Sequence, residues 1–200
     1  MSLDQNQKGV LRGILPAIVV MSAVLPLPLI LDVAPWLEPD RSRSLLLTAV
    51  LLAAPMAICI ASIARFRFFS PADIHGSGLT AGSDRIRILQ SVLQNTLEQT
   101  VLAAIVQTAW ILVASKQWLP VANLAAILFV AGRIFFATGY AKGAPARAFG
   151  FGLTFYPSVV LLFGASGVCL SGRLVRTSSA ASSPMCLFSN RPFLCRHDSD

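Results

Sequence analysis

Arg85-Ile-Arg87-Ile-Leu-Gln90-Ser91-Val-Leu-Gln94-Asn95-Thr-Leu-Glu98-Gln-Thr-Val101-Leu-Ala-Ala-Ile-Val106 is the stretch whose reading decides the fold. Arg87, Gln90, Ser91, Gln94, Asn95 and Glu98 are spaced by three and four residues, so on an α-helix they form one polar stripe. Beyond Glu98 the same helix continues through Val101–Val106, which is apolar on every face. A polar stripe that runs into an apolar rod is unusual for a helix on a soluble domain, which keeps one polar face along its whole length.

Composition explains the rod. Of the 200 residues, 55% are hydrophobic and 12% charged. Mean hydropathy is +0.69. A soluble domain has about 25% charged residues, so this chain lacks the polar surface to be one. It reads as an all-α integral membrane protein. The net charge of +7 would suggest nucleic acid in a soluble protein. Here the basic residues sit between apolar segments, where membrane topology and anionic headgroups account for them, so no nucleic-acid partner is expected. Cys59, Cys169, Cys186 and Cys195 form no C-x-x-C pair and have no histidine at ligand spacing, so neither a metal site nor a disulfide framework is expected.

Outward from the stripe, five apolar segments are long enough to cross a bilayer. Residues 8–32 hold an additional N-terminal hydrophobic span, Val10–Leu31, which Pro16, Pro26 and Pro28 should kink towards its far end. A cleaved signal peptide is the rival reading, since Lys8 and Arg12 precede an apolar core. Residues 44–170 hold four more spans: Ser44–Ala64, Arg85–Val113, Leu119–Tyr140 and Arg147–Leu170. Asp84 is the expected cap of the stripe helix. Residues 171–200 are rich in Ser and Arg without periodicity and read as a polar disordered tail. Lys8, Arg12, Arg65, Arg67, Arg85, Arg87, Lys142 and Arg147 fall on one side of this topology, against Arg41, Arg43 and Lys116 in the opposite loops and Arg173, Arg176, Arg191 and Arg196 in the tail, and this bias puts the N-terminus and the first set of loops in the cytoplasm.

Glu98 is the only carboxylate within an expected span. A charged acid near the bilayer centre costs about 2.5–3.5 kcal/mol on insertion scales, so Glu98 must face water or other protein. Asn95 lies one turn before it. A second cluster, Arg133-Ile-Phe-Phe136-Ala-Thr-Gly139-Tyr140, puts Arg133, Phe136 and Tyr140 on one helix face, and Arg147 follows a Gly/Pro turn. Read plainly, Asn95 and Glu98 join helices or subunits by hydrogen bonds, and Arg147, Arg65 and Arg67 snorkel to the interface.

Taken together, Gln94-Asn95-Thr-Leu-Glu98 on one span, Gly139-Tyr140 and Arg147 after the next, and Arg65/Arg67 before Phe-Phe-Ser-Pro-Ala-Asp73 resemble the MAPEG family, the membrane-associated proteins in eicosanoid and glutathione metabolism. The resemblance covers Ser44–Leu170. It implies a four-helix membrane bundle, a homotrimer, and glutathione held between subunits near the cytoplasmic side. Asn95 and Glu98 would hydrogen-bond the polar ends of the thiol peptide, Tyr140 would contact it, and Arg65 or Arg67 would stand near the same pocket. Arg147 would be the catalytic residue, stabilising the thiolate against a lipophilic electrophile from the bilayer. Arg87 lies on the face of Asn95, two turns away, and could reach inward. The chain departs from the family pattern at Ser91, where an arginine is common, and at Leu93, Gln99 and Phe136, where other polar or aromatic side chains are common. The expected function is a glutathione- or thiol-dependent transferase or peroxidase. The alternative is a non-catalytic oligomeric membrane protein whose stripe packs subunits or binds solute or lipid.

Overall fold

The computed structural model describes residues 4–31, 40–75 and 82–181, without the side chains of residues 29 and 172–181. Among the described residues every regular element is helical: α1 (Gln5–Val24), α2 (Leu27–Ile30), α3 (Arg41–Phe69), α4 (Asp84–Val113), α5 (Leu119–Gly139) and α6 (Ala144–Ala181). Five of them, all but the short α2, are long and apolar enough to cross a membrane. This is the all-α membrane bundle expected from composition.

The first span breaks where the prolines predict. Pro26 has no N–H to carry the ladder on, and the chain turns at Leu25-Pro26 before the single turn of α2. Helix α4 starts one residue before the expected Arg85, and its cap is not Asp84. Ser83 is the N-cap, its Oγ accepting from Ile86 N at 3.4 Å, while Asp84 lies in the first turn and pairs with Arg87 at 2.6 Å. Helix α6 continues to Ala181, past Leu170, where the sequence reading ends it and begins a disordered tail. Gly172, just past Leu170, reads in the sequence as a stop signal, but the helix passes through it. Residues 182–200 of that tail lie outside the described residues.

The central helix is α5, with about two-thirds of its apolar window buried. Small residues set its distance from α6. A Cβ on Gly150 would lie 2.3 Å from Phe136 N, and one on Gly132 would lie 2.8 Å from Gly150 O, so the two backbones touch at this crossing. The link between them is a 3-10 turn, Tyr140–Lys142, followed by Gly143 at φ +101°, a conformation that L side chains rarely adopt. This turn folds the start of α6 back onto Gly139, where an added Cβ would lie 2.5 Å from Ala146 O.

Polar side chains tie the other joints. Arg41 donates to the unsatisfied last carbonyls of α4, at Ile111, Leu112 and Ala114, completing a helix end that has no internal donors left. Asn123 Nδ2 of α5 donates to Ser44 Oγ of α3 at 3.3 Å. At the opposite end of α3, Asp73 is buried and accepts three hydrogen bonds, from Ser70 Oγ (2.7 Å), Ser83 N (2.8 Å) and Ser83 Oγ (2.9 Å). Ser83 therefore caps α4 and anchors the α3–α4 connection at once.

Helix α1 belongs to the same core. Ala17, Met21 and Leu25 pack in one apolar cluster with Val106, Trp110, Leu153 and Leu161. Gly9, Gly13 and Ala17 follow Pro145, Ala148 and Gly152 in order, so α1 runs parallel to α6.

Candidate functional site

All six residues of the polar stripe, together with Tyr140 of the 3-10 turn, line one open trough of about 560 Å³. The helical period put the stripe on one face, and Tyr140 reaches it because the α5–α6 turn folds beside α4. Arg87 and Glu98 mark the two ends of the trough. Eleven residues of α-helix separate them by about 16 Å along the axis. Arg87 is held by Asp84, and Gln94 Nε2 donates to Glu98 Oε1 at 3.0 Å. Ser91 Oγ donates to the carbonyl of Arg87 at 2.9 Å, so its hydroxyl is turned along its own helix. Glu98 is exposed on the outside of the chain.

A second, smaller cavity of about 380 Å³ adjoins the first. Asn95 and Tyr140 line both, so they form the shared wall. Apart from them the second chamber is apolar, walled by Val10, Ile14, Phe136 and Phe151, with Arg147 as its one charged residue. The Arg147 guanidinium lies 4.5 Å from the centre of the Tyr140 ring, an attraction worth about 0.5–1 kcal/mol at an exposed site. Among the described residues no carboxylate pairs with it.

Arg133 is the residue that sequence reasoning leaves out of the site. It is 4% exposed. Its Nη1 donates to Asn95 Oδ1 at 2.9 Å and its Nη2 to Thr154 Oγ1 at 2.7 Å. The rings of Phe136 and Phe129 stand 4.5 and 5.7 Å from its guanidinium carbon. A guanidinium has donors only, so it fixes the amide of Asn95 with its oxygen inward. The Asn95 NH₂ is then left to donate to a ligand. The signal was present in the sequence: an arginine inside an apolar span, seven residues before Tyr140 on the same face.

The structure thus brings Asn95, Glu98, Tyr140 and Arg87 to one trough, and Asn95, Tyr140 and Arg147 to the chamber beside it. It does not bring Arg65 there within one chain. Arg65 lines a separate groove of about 770 Å³ between α3 and α4 with Arg85, whose guanidinium lies 5.4 Å from the Phe66 ring centre. Arg67 is in the last turn of α3, close enough to Asp73 to act on its charge. The Asp73 carboxyl is held below its usual range, chiefly by the Ser70 hydroxyl, then by the Ser83 amide. Among the described residues no group of three or more His, Cys, Asp or Glu side chains is arranged to hold a metal ion.

The sequence model of the MAPEG family matches residues 45–167, spanning α3 to α6 and every residue of both chambers except those of α1. The chain belongs to the MAPEG family. No curated protein and no solved structure matches it. As a MAPEG protein it is an integral membrane protein whose four family helices are α3–α6, and α1 is an addition packed against the last of them.

Proposed function

We propose that this MAPEG protein is a glutathione- or thiol-dependent transferase or peroxidase that acts on a lipophilic electrophile. The observation that carries the reading is the shared wall. A polar trough suited to a small thiol peptide meets an apolar chamber suited to its co-substrate, and the two join at Asn95 and Tyr140, beside Arg147.

Each part has a chemical role. Glu98, already oriented by Gln94, has lone pairs left for the α-amino group of glutathione. The Asn95 NH₂ donates to a peptide carbonyl or carboxylate, and Arg87 is placed at the far end for a second carboxylate. Tyr140 lies against the peptide and holds Arg147 by its ring. The thiol would then lie at the opening into the apolar chamber, next to the Arg147 guanidinium. A free thiol ionises at about pH 8.5, and a neighbouring cation lowers that value. Each unit of lowering is about 1.4 kcal/mol of preference for the anion. The thiol proton leaves to solvent. The sulfur then bonds to the electrophilic carbon or peroxide oxygen, and the leaving group takes the electron pair. Low dielectric around Phe136 and Phe151 strengthens the ion pair.

Lys8, Arg12, Arg65, Arg85, Arg87, Lys142 and Arg147 occur at the ends of the helices that meet beside the site. We assign that end to the cytoplasm by the positive-inside rule, and we propose a homotrimer in which a neighbouring copy covers the open trough. Calorimetric titration of the purified protein with millimolar glutathione tests the thiol reading, which fails if an intact protein shows no heat of binding.

One observation favours a second reading. Ser91 stands where the family pattern described above commonly has an arginine, and its hydroxyl is spent on its own helix. If the stripe only packs subunits, Glu98→Gln alters oligomer stability and leaves turnover of electrophiles absent in both proteins.

A further inference from the structure

Helix α1 lies outside the family match of residues 45–167, yet it supplies two walls of the apolar chamber. We propose that α1 is the specificity element of this protein: Val10 and Ile14 set the size of the apolar molecule that binds beside Arg147, restricting it to a compact one and excluding long-chain lipids. The proposal rests on the chamber being the co-substrate site, as argued above.

The three faces of α1 divide cleanly. Gly9, Gly13 and Ala17 face α6. A Cβ on Gly9 would lie 2.8 Å from Pro145 Cγ, one on Gly13 would lie 2.8 Å from Ala148 Cβ, and one on Gly152 would lie 2.7 Å from Ala17 Cβ. Small residues at four-residue spacing let two helices approach at backbone distance and fix their register. Leu11, Leu15 and Val19 are exposed on the outer face, where lipid suits them. Val10 and Ile14 fall between these faces, four residues apart and so one above the other, and both line the chamber.

Two consequences follow from this seating. The contact residues Pro145 and Ala148 flank Arg147 in sequence, so α1 is registered on the very turn that carries the cation. The chamber is also small, though half open: the space its walls define is about 380 Å³, at the lower end of the roughly 300–1,000 Å³ usual for small-molecule sites. Both wall residues are branched at Cβ, with few χ1 choices, so the wall does not yield easily to a larger ligand.

The test uses the full chain in nanodiscs and straight-chain alkanesulfonates from butyl to dodecyl, each a constant monoanion for Arg147, with uptake by protein-free nanodiscs subtracted. The wild type should show a chain-length optimum with a fall beyond it. Val10→Ala with Ile14→Ala should move the optimum about two methylenes longer, since the removed carbons leave space that surrounding structure only partly refills. Ile14→Trp should move it shorter. Leu11→Ala, on the outer face, should leave it in place. Gly13→Val, which unseats α1 from Ala148, should abolish the fall beyond the optimum, and it serves as the independent arm if the double variant does not fold. An optimum that is unchanged in the wall variants, or a wild type that tolerates dodecyl as well as butyl, overturns the proposal. Glutathione binding is measured separately on the same samples. Its absence would sink the thiol reading while leaving the chain-length result to judge α1.

Discussion

Arg133 donates to Asn95 at 2.9 Å across the α4–α5 packing, and this bond decides which way the Asn95 amide faces. Asn95→Asp keeps an acceptor for Arg133 and turns the contact into an ion pair, but it removes the NH₂ that the proposed function assigns to the thiol peptide. The variant should fold like the wild type and lose thiol-peptide affinity by about tenfold, the value of a typical ligand hydrogen bond to a charged group. Asn95→Leu leaves the buried guanidinium short of an acceptor and should destabilise the bundle by about 2–3 kcal/mol. Melting temperature and calorimetric affinity, measured on both variants, separate the two effects.

Arg147→Ala should lower kcat/KM by about 10- to 100-fold, corresponding to the loss of one to two units of thiol acidification, with little change in melting temperature because its guanidinium makes no ion pair among the described residues. Arg147→Lys keeps the charge but not the planar stacking on Tyr140 and should fall between. A steady-state assay at several pH values checks this, since the loss should shrink as pH rises towards the free thiol pKa.

Gly150→Ala inserts a methyl where an added Cβ meets Phe136 N at 2.3 Å. Backbone cannot yield as a side chain can, so α5 and α6 must part, at a cost of about 1–3 kcal/mol for overpacking. Because Arg133 and Thr154 meet across this crossing, ligand affinity should fall together with stability. Thermal unfolding and titration of the same sample read both.

Asp73 makes the α3–α4 junction pH-dependent. Its carboxyl is held below the ordinary value by Ser70 and Ser83, so the folded state favours the ionised form. That stabilisation is fully present above the unfolded pKa of about 3.9 and is lost as pH falls through the lower, folded value. Asp73→Asn should reduce stability at neutral pH and flatten the acid limb of the stability curve. Denaturation midpoints across the acid range would show the wild type and variant converging at the acid end.

The sequence made the membrane bundle legible because hydropathy and helix length are one-dimensional quantities. The five spans could be marked as elements and the stripe from Arg87 to Glu98 placed on one of them, but not every end: α1 closes at Val24 rather than Leu31, and α6 runs on to Ala181 rather than Leu170. The stripe's partners were legible in part: Tyr140 and Arg147 are near each other in sequence and are joined by a turn rich in Gly and Ala. What pattern could not supply was depth and register. Arg133 could be placed on one face with Phe136 and Tyr140, but its partners could not be named until α6 brings Thr154 against it at 2.7 Å. Arg65 and Arg67 look interchangeable until α3 places Arg65 in a groove with Arg85 and sends Arg67 towards Asp73. The seating of α1 depends on close approach at Gly9 and Gly13, a property of the space across from a glycine that no periodicity reports.

The most direct test of the account is an ultraviolet titration of the thiolate of glutathione bound to the purified protein, compared between wild type and Arg147→Ala. The account predicts a bound thiol that ionises at least one unit below its free value of about 8.5 in the wild type and returns towards it in the variant. A bound thiol that ionises at its free value in both proteins, or an intact protein that leaves millimolar glutathione unbound, would contradict it.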